Sequence, residues 1–169
     1  MPFAIKPGQK VLFTGDSITD SGRRAANAPL GSGYVQMVVD LIAAKYPAHN
    51  NTFINTGISG NTVRDLTTRW TDDVILIGIN DIHRWLRQVP DQSVSPEEFA
   101  EMYPALIERV RKETKAQIVL IDPFFISTER SPSSFRSIVL ERLPEYHKTV
   151  HALVKKHKTR HVKLHDMFQ

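Results

Sequence analysis

An α/β fold built on a parallel β-sheet covered on both faces is the class this sequence predicts, on three observations. Short, uniformly apolar runs recur along the chain, as expected of strands buried on both sides. Each run is closed by glycine, proline or asparagine. Segments with apolar residues at helical spacing lie between the runs, so that strand and helix alternate.

Taken in order, Lys10 to Thr14 (KVLFT) is the first buried strand, ending at Gly15. From Gly33 to Tyr46 the residues Val35, Val38, Leu41 and Ile42 recur at helical spacing, and Pro47 follows the end. Thr52 to Asn55 is the second strand, closed by Gly57. Asn61 or Thr62 caps a short helix through Val63 and Leu66. Val74 to Ile79 is a third, wholly apolar strand, followed by a polar loop from His83 to Val94. Ser95, Pro96 and Glu98 form a capping box with proline at the first helical position. The stripe of that helix is Phe99, Met102, Leu106, Ile107 and Val110, and Pro104 inside it is expected to kink or split the helix. Gln117 to Asp122 is the fourth strand, ended by Pro123. Tyr146, Val150, Leu153 and Val154 line a last helix, and His161 to Leu164 is a weak fifth strand.

The 169 residues are 41% hydrophobic and 24% charged, with no cysteine and a formal net charge of +4. These values fit one globular domain spanning residues 1–169 and exclude disordered, collagen-like and disulfide-scaffold classes. Without cysteine there is neither a thiolate metal site nor a cysteine nucleophile. No segment approaches the ~20 apolar residues needed to cross a bilayer, and the opening MPFAIKPGQK lacks the pattern of a secretory signal. A soluble cytoplasmic domain with no membrane partner is the expectation. Lys155, Lys156, Lys158, Arg160 and Lys163 concentrate positive charge near the C-terminal end. With no nucleic-acid module alongside, they read as a solvated helix face and loop, and no nucleic-acid partner is expected.

In open parallel sheets, ligands gather at the carboxyl ends of strands. Three segments fall there: Gly15-Asp16-Ser17-Ile18-Thr19-Asp20, Asn55 to Asn61, and Gly78-Ile79-Asn80-Asp81. Ser17 offers a hydroxyl on a tight turn, Gly60 a backbone N–H without a side chain in the way, and Asn80 a side-chain amide donor. A nucleophile with convergent donors is the equipment of acyl transfer. Ser59 is a competing hydroxyl, but Gly-Ile-Ser-Gly lacks the Gly-x-Ser-x-Gly elbow, and its expected task is to bond a nearby backbone group. His147 and His151 have the four-residue spacing of a zinc pair but no HExxH pattern or obvious third ligand, so no metal is expected.

The blocks GDSITD (Ser17), Gly60 and Gly78-Ile79-Asn80-Asp81 resemble those of the SGNH (GDSL) hydrolases. The resemblance extends to Gly31-Ser32-Gly33-Tyr34-Val35, to Gly60-Asn61-Thr62-Val63-Arg64-Asp65-Leu66 and to Arg69-Trp70. These details are similar to the subgroup of bacterial acetylxylan and oligosaccharide esterases. The resemblance implies a flavodoxin-like three-layer sandwich with a five-stranded parallel sheet in the order 2-1-3-4-5. It implies hydrolysis of small acyl esters, such as acetylated sugars, without a cofactor. Ser17 would be the nucleophile, and Gly60 and Asn80 would hold the oxyanion. Asp16, Asn61 and Asp81 flank them and are expected to contact substrate.

Two departures stand beside the match. The family's last block, Asp-x-x-His, supplies the base and the carboxylate that orients it, yet the sequence reaches His165-Asp166-Met167-Phe168-Gln169 without one. The segment between Trp70 and Gly78 is also shorter than the family's pattern. It approaches the minimum of about a dozen residues for a parallel crossover, and strain is expected there. His83, three residues beyond Asn80, is a candidate substitute base. His165-Asp166 has the right residue types at the wrong spacing. The expectation is a serine esterase scaffold with impaired catalysis. The alternatives are a non-catalytic binder of sugar or acyl groups and a fragment of a longer esterase. Without the family's final helix, uncovered apolar surface would favour a homo-oligomer.

Overall fold

The computed structural model describes residues 5–25, 27–69 and 74–168. The chain divides into two compact units, Met1–Gly60 and Asn61–Gln169, each described by itself. In the first unit, β1 (Lys10–Gly15) lies parallel to β2 (Thr52–Asn55), with Lys10 opposite Thr52 and Phe13 opposite Asn55. A parallel pair requires a crossover. Here it comprises α1 (Ser17–Asp20), α2 (Tyr34–Lys45) and a 3-10 turn, Pro47–His49. Phe13, Val35 and Ile42 are buried, and Tyr34 meets Phe13 edge-on at 6.0 Å. Leu41, expected in the buried stripe, is instead 68% exposed. The stripe of α2 is narrower than its apolar spacing suggests.

The second unit contains α3 (Val63–Thr68), β3 (Val74–Leu76), α4 (Ile79–Leu86), α5 (Pro96–Glu113), β4 (Val119–Ile121), α6 (Phe135–His157) and β5 (Arg160–Val162). A 3-10 turn, Asp166–Phe168, follows. Strand β4 is parallel to both β3 and β5, with Leu120 opposite Ile75 and His161. The buried residues of α6, namely Val139, Leu143, Tyr146, Val150 and Leu153, alternate four and three apart. That spacing makes one continuous apolar seam. Helix α5 contributes Phe99, Tyr103, Leu106, Ile107 and Val110, and the Phe99 ring lies 4.9 Å from that of Tyr146.

The expected capping box of Ser95 with Glu98 is present, and the cap expected at Asn61 or Thr62 is a second box, Thr62 with Asp65. Thr62, rather than Asn61, is the cap. Two expectations need correction. Pro104 does not split α5, which runs through it, because five buried side chains on one face outweigh one missing backbone bond. The segment from His83 begins not as a loop but on α4, which also carries Asn80 and Asp81. The strain expected between Trp70 and Gly78 falls largely on residues 70–73, outside the described residues. Among the described residues, no helix is long and apolar enough to cross a membrane.

Candidate active site

The turn after β1 is built by Asp16. Its Oδ1 accepts the Ile18 N–H at 3.0 Å and so caps α1. Its Oδ2 is buried without a hydrogen-bond partner among the described residues. Burial pushes the carboxyl up to about 6, although the backbone N–H groups of Ile18 and Asp16 favour its charged form. Ser17, immediately after this buried aspartate, is exposed. The same turn buries Thr19, whose hydroxyl lies 3.1 Å from that of Tyr34. Burial raises the Tyr34 hydroxyl to about 12; the Thr19 bond opposes the shift and the Asp16 charge adds to it.

The turn after β2 is tied to this one by short bonds. Asn55 Nδ2 donates to the carbonyls of Thr19 (2.6 Å) and Leu30 (2.7 Å), while Asn55 Oδ1 accepts the Gly57 N–H at 2.9 Å. The Ile58 N–H donates to the Gly15 carbonyl at 3.0 Å. Gly57 packs so closely that a Cβ there would lie 2.4 Å from the Asp20 nitrogen. The backbone partner that the sequence led us to expect for Ser59 is not found among the described residues. Its N–H and its hydroxyl both donate to Asp20 Oδ2 at 3.0 Å. Burial works against the Asp20 charge, but these two bonds and Arg24 at 3.1 Å outweigh it and hold the carboxyl below its ordinary range. Ser59 is thereby occupied as a structural donor, and half-exposed Gly60 follows it.

In the second unit, Asn80 lies in the first turn of α4 and donates one Nδ2–H to the Asn61 carbonyl at 2.9 Å. A primary amide has two N–H groups, so a second donor remains. The Asn61 side chain accepts from Arg69 Nε at 2.6 Å. Asp81 is fully buried, and its Oδ1 accepts the Val63 N–H at 2.9 Å, which fixes the start of α3 against α4. That is a positioning contact, whereas the sequence pointed to substrate.

His83 packs between Phe125 and Phe135, each 5.3 Å away between ring centres. Its Nε2 is buried without a hydrogen-bond partner among the described residues. Burial, then the nearby Arg87 charge, lowers its pKa. It is therefore neutral at physiological pH, the form a general base must have.

Sequence reasoning missed a cluster around Asp122, the buried residue that follows β4. Its Oδ1 lies 2.7 Å from His161 Nε2, and its Oδ2 lies 3.2 Å from His151 Nε2. The helical partner expected for His151, His147, places its own Nε2 2.7 Å from the Pro123 carbonyl. His165 packs beside His147 at 5.3 Å, and Asp166 faces Lys163 at 3.9 Å. An open cleft of about 660 Å³ is lined by Trp85, Leu86, Val89, Pro90, Ile138 and Arg142, among others, and by none of the site residues expected from the sequence.

Residues 13–169 match the GDSL-like lipase/acylhydrolase family. An acetylxylan esterase of Geobacillus stearothermophilus is 40% identical over 145 residues, a match spanning 76% of this chain and 66% of that protein. The crystal structure of Axe2, an acetylxylan esterase from the same organism, superposes with a TM-score of 0.85 at 33% identity. It covers 98% of this chain and 80% of that one. Solved forms of Axe2 include catalytic mutants at a serine, an aspartate and a histidine. An α/β hydrolase from the metagenome of Lake Arreo, Spain, superposes at 0.83 with 29% identity, over 97% of this chain and 80% of its own. The backbone is thus of the flavodoxin-like α/β class. The chain belongs to the GDSL (SGNH) lipase/acylhydrolase family, a lineage of carboxylic ester hydrolases.

Proposed function

We propose that this chain is a serine acyl esterase directed at acetyl or other short acyl groups on sugars. One observation carries the reading: an exposed serine hydroxyl at the carboxyl end of β1, on a turn whose preceding aspartate is buried as the helix cap. Its similarity to acetylxylan esterases supports the sugar-borne acetyl group as substrate. In this reading β2, β1, β3, β4 and β5 form one sheet in that order, and residues 1–169 act as a single domain.

The Ser17 oxygen attacks the ester carbonyl, and the sugar oxygen leaves with a proton. Water then cleaves the acyl-serine ester. The oxyanion of each tetrahedral intermediate is held by the backbone N–H groups of Ser17 and Gly60 and by the second Nδ2–H of Asn80. Deprotonating Ser17 requires a base. No Asp-x-x-His occurs anywhere in the 169 residues. His83, neutral and with an Nε2 that has no partner among the described residues, is the candidate within the chain. The alternative reading is a binder that holds the acyl sugar without turnover.

Hydrolysis of p-nitrophenyl acetate separates the two, measured with and without added imidazole as an external base and with Ser17→Ala as the background. For the esterase we expect weak turnover that Ser17→Ala abolishes, and imidazole should raise the rate only where Ser17 is present. His83→Ala should lower the rate if that histidine is the base. Equal background rates in both proteins, with imidazole or without, would sink the esterase reading. Retained affinity of Ser17→Ala for acetylated xylo-oligosaccharide would then establish the binder.

A further inference from the structure

We infer that Asp122, His151 and His161 form a binding site for a divalent transition-metal ion, with zinc as the type. The sequence set zinc aside because the pair His147 and His151 lacked a third ligand. Tertiary structure chooses different partners. His161 on β5 stands opposite Leu120 on β4, and Asp122 lies two residues beyond Leu120. The two-residue period of a strand therefore turns His161 and Asp122 toward one face of the sheet. Helix α6 brings His151 to the same place. One ligand atom from each residue lies within 4.8 Å of the others.

The donor set suits the ion. Two imidazole nitrogens and a carboxylate oxygen are a common three-ligand set for zinc, with a fourth position left to water. Bonds of about 2.0–2.1 Å to tetrahedral zinc place neighbouring ligand atoms roughly 3.3 Å apart. His161 lies 2.7 Å from Asp122 Oδ1 and His151 lies 3.2 Å from Asp122 Oδ2, and one ligand atom from each residue falls within 4.8 Å of the others, so rotations that move the atoms by roughly an ångström bring them around one ion. A neutral imidazole that donates Nε2–H to the carboxylate need only shift its proton to Nδ1 to present a lone pair to a metal. Asp122 is buried, its side chain 2% exposed. His161 is 14% and His151 44% exposed, which leaves an entry path on the α6 side. A bound ion would tie α6 to the paired strands β4 and β5.

The inference is independent of the esterase reading, and its readout is binding. The full chain, dialysed against EDTA, is titrated calorimetrically with zinc chloride and, separately, with magnesium chloride. We expect one equivalent of zinc to bind and magnesium not to, because magnesium demands octahedral oxygen ligands. At zinc a hundred times above its Kd, the Tm should rise by about 5–10 °C. His151→Ala and His161→Gln should each weaken zinc binding at least tenfold, and His147→Ala should change it less than twofold. His151 is exposed enough for its alanine variant to fold, so the test stands even if a change at His161 unfolds the protein. Absence of stoichiometric zinc binding would overturn the inference. So would loss of binding in His147→Ala with retention in His161→Gln, which would assign the metal to the helical pair.

Discussion

Asp16 and Asp20 sit one helical turn apart on the segment that presents Ser17, and their surroundings pull them in opposite directions. Asp20 has three donors on one oxygen, and its carboxyl is held low. Asp16 has one oxygen on a backbone N–H and the other buried bare, and it is held up at about 6 against an ordinary 3.8. The consequences for stability have opposite signs. Asp20 stabilises the fold above the pKa it has when unfolded, and this contribution fades as pH falls through its lower folded value. For Asp16 the unfolded chain releases its proton first, so stability declines as pH rises from about 4 to about 6 and stays lower above that. Each pH unit of displacement is worth about 1.4 kcal/mol. Asp16→Asn keeps the cap oxygen and removes the titration. In urea unfolding at pH 4.5 and 7.5, the variant should lack the Asp16 share of the difference, about 2 kcal/mol. An unchanged pH dependence would show that Asp16 is solvated in solution.

At the scale of elements, turn geometry depends on close backbone approach more than on apolar spacing. The loop after β2 reaches the turn after β1 only because Gly57 has no side chain; a Cβ would meet the Asp20 nitrogen at 2.4 Å and the Thr19 carbonyl carbon at 2.7 Å. Those are backbone atoms that cannot rotate away, so Gly57→Ala should lower stability by roughly 2–3 kcal/mol in urea unfolding. Gly8→Ala is the control. There a Cβ meets nothing within 4 Å and only the backbone conformation at φ +74° resists, at about 1 kcal/mol. Equal losses in the two variants would mean that the loops part to admit the methyl group. Helix α5 shows the converse balance: its five-residue buried face keeps Pro104 inside a continuous helix that local preference alone would interrupt.

Across the molecule, long-range polar ties complete what the local signals begin. The Tyr146 hydroxyl, within the seam of α6, donates to the Val94 carbonyl at 2.8 Å, joining residues 52 apart in sequence. Tyr146→Phe leaves that buried carbonyl unpaired, and a loss of about 1–2 kcal/mol in thermal or urea unfolding is expected. Local sequence already carries the alternation of strands and helices, the capping box of Ser95 with Glu98, the placement of Ser17 just past the first strand and the family. Each of these is written in bonds and burial periods that span a few residues. Tertiary structure alone decided that Leu41 faces solvent, that His83 lies between Phe125 and Phe135, and that Ser59 serves Asp20. It also decided that Asp122 meets His151 and His161, partners 29 and 39 residues away. The physical reason is that a side chain's partner across a sheet or under a helix depends on strand register and helix rotation. Those are set by the packing of the whole core, and no short window of sequence encodes them.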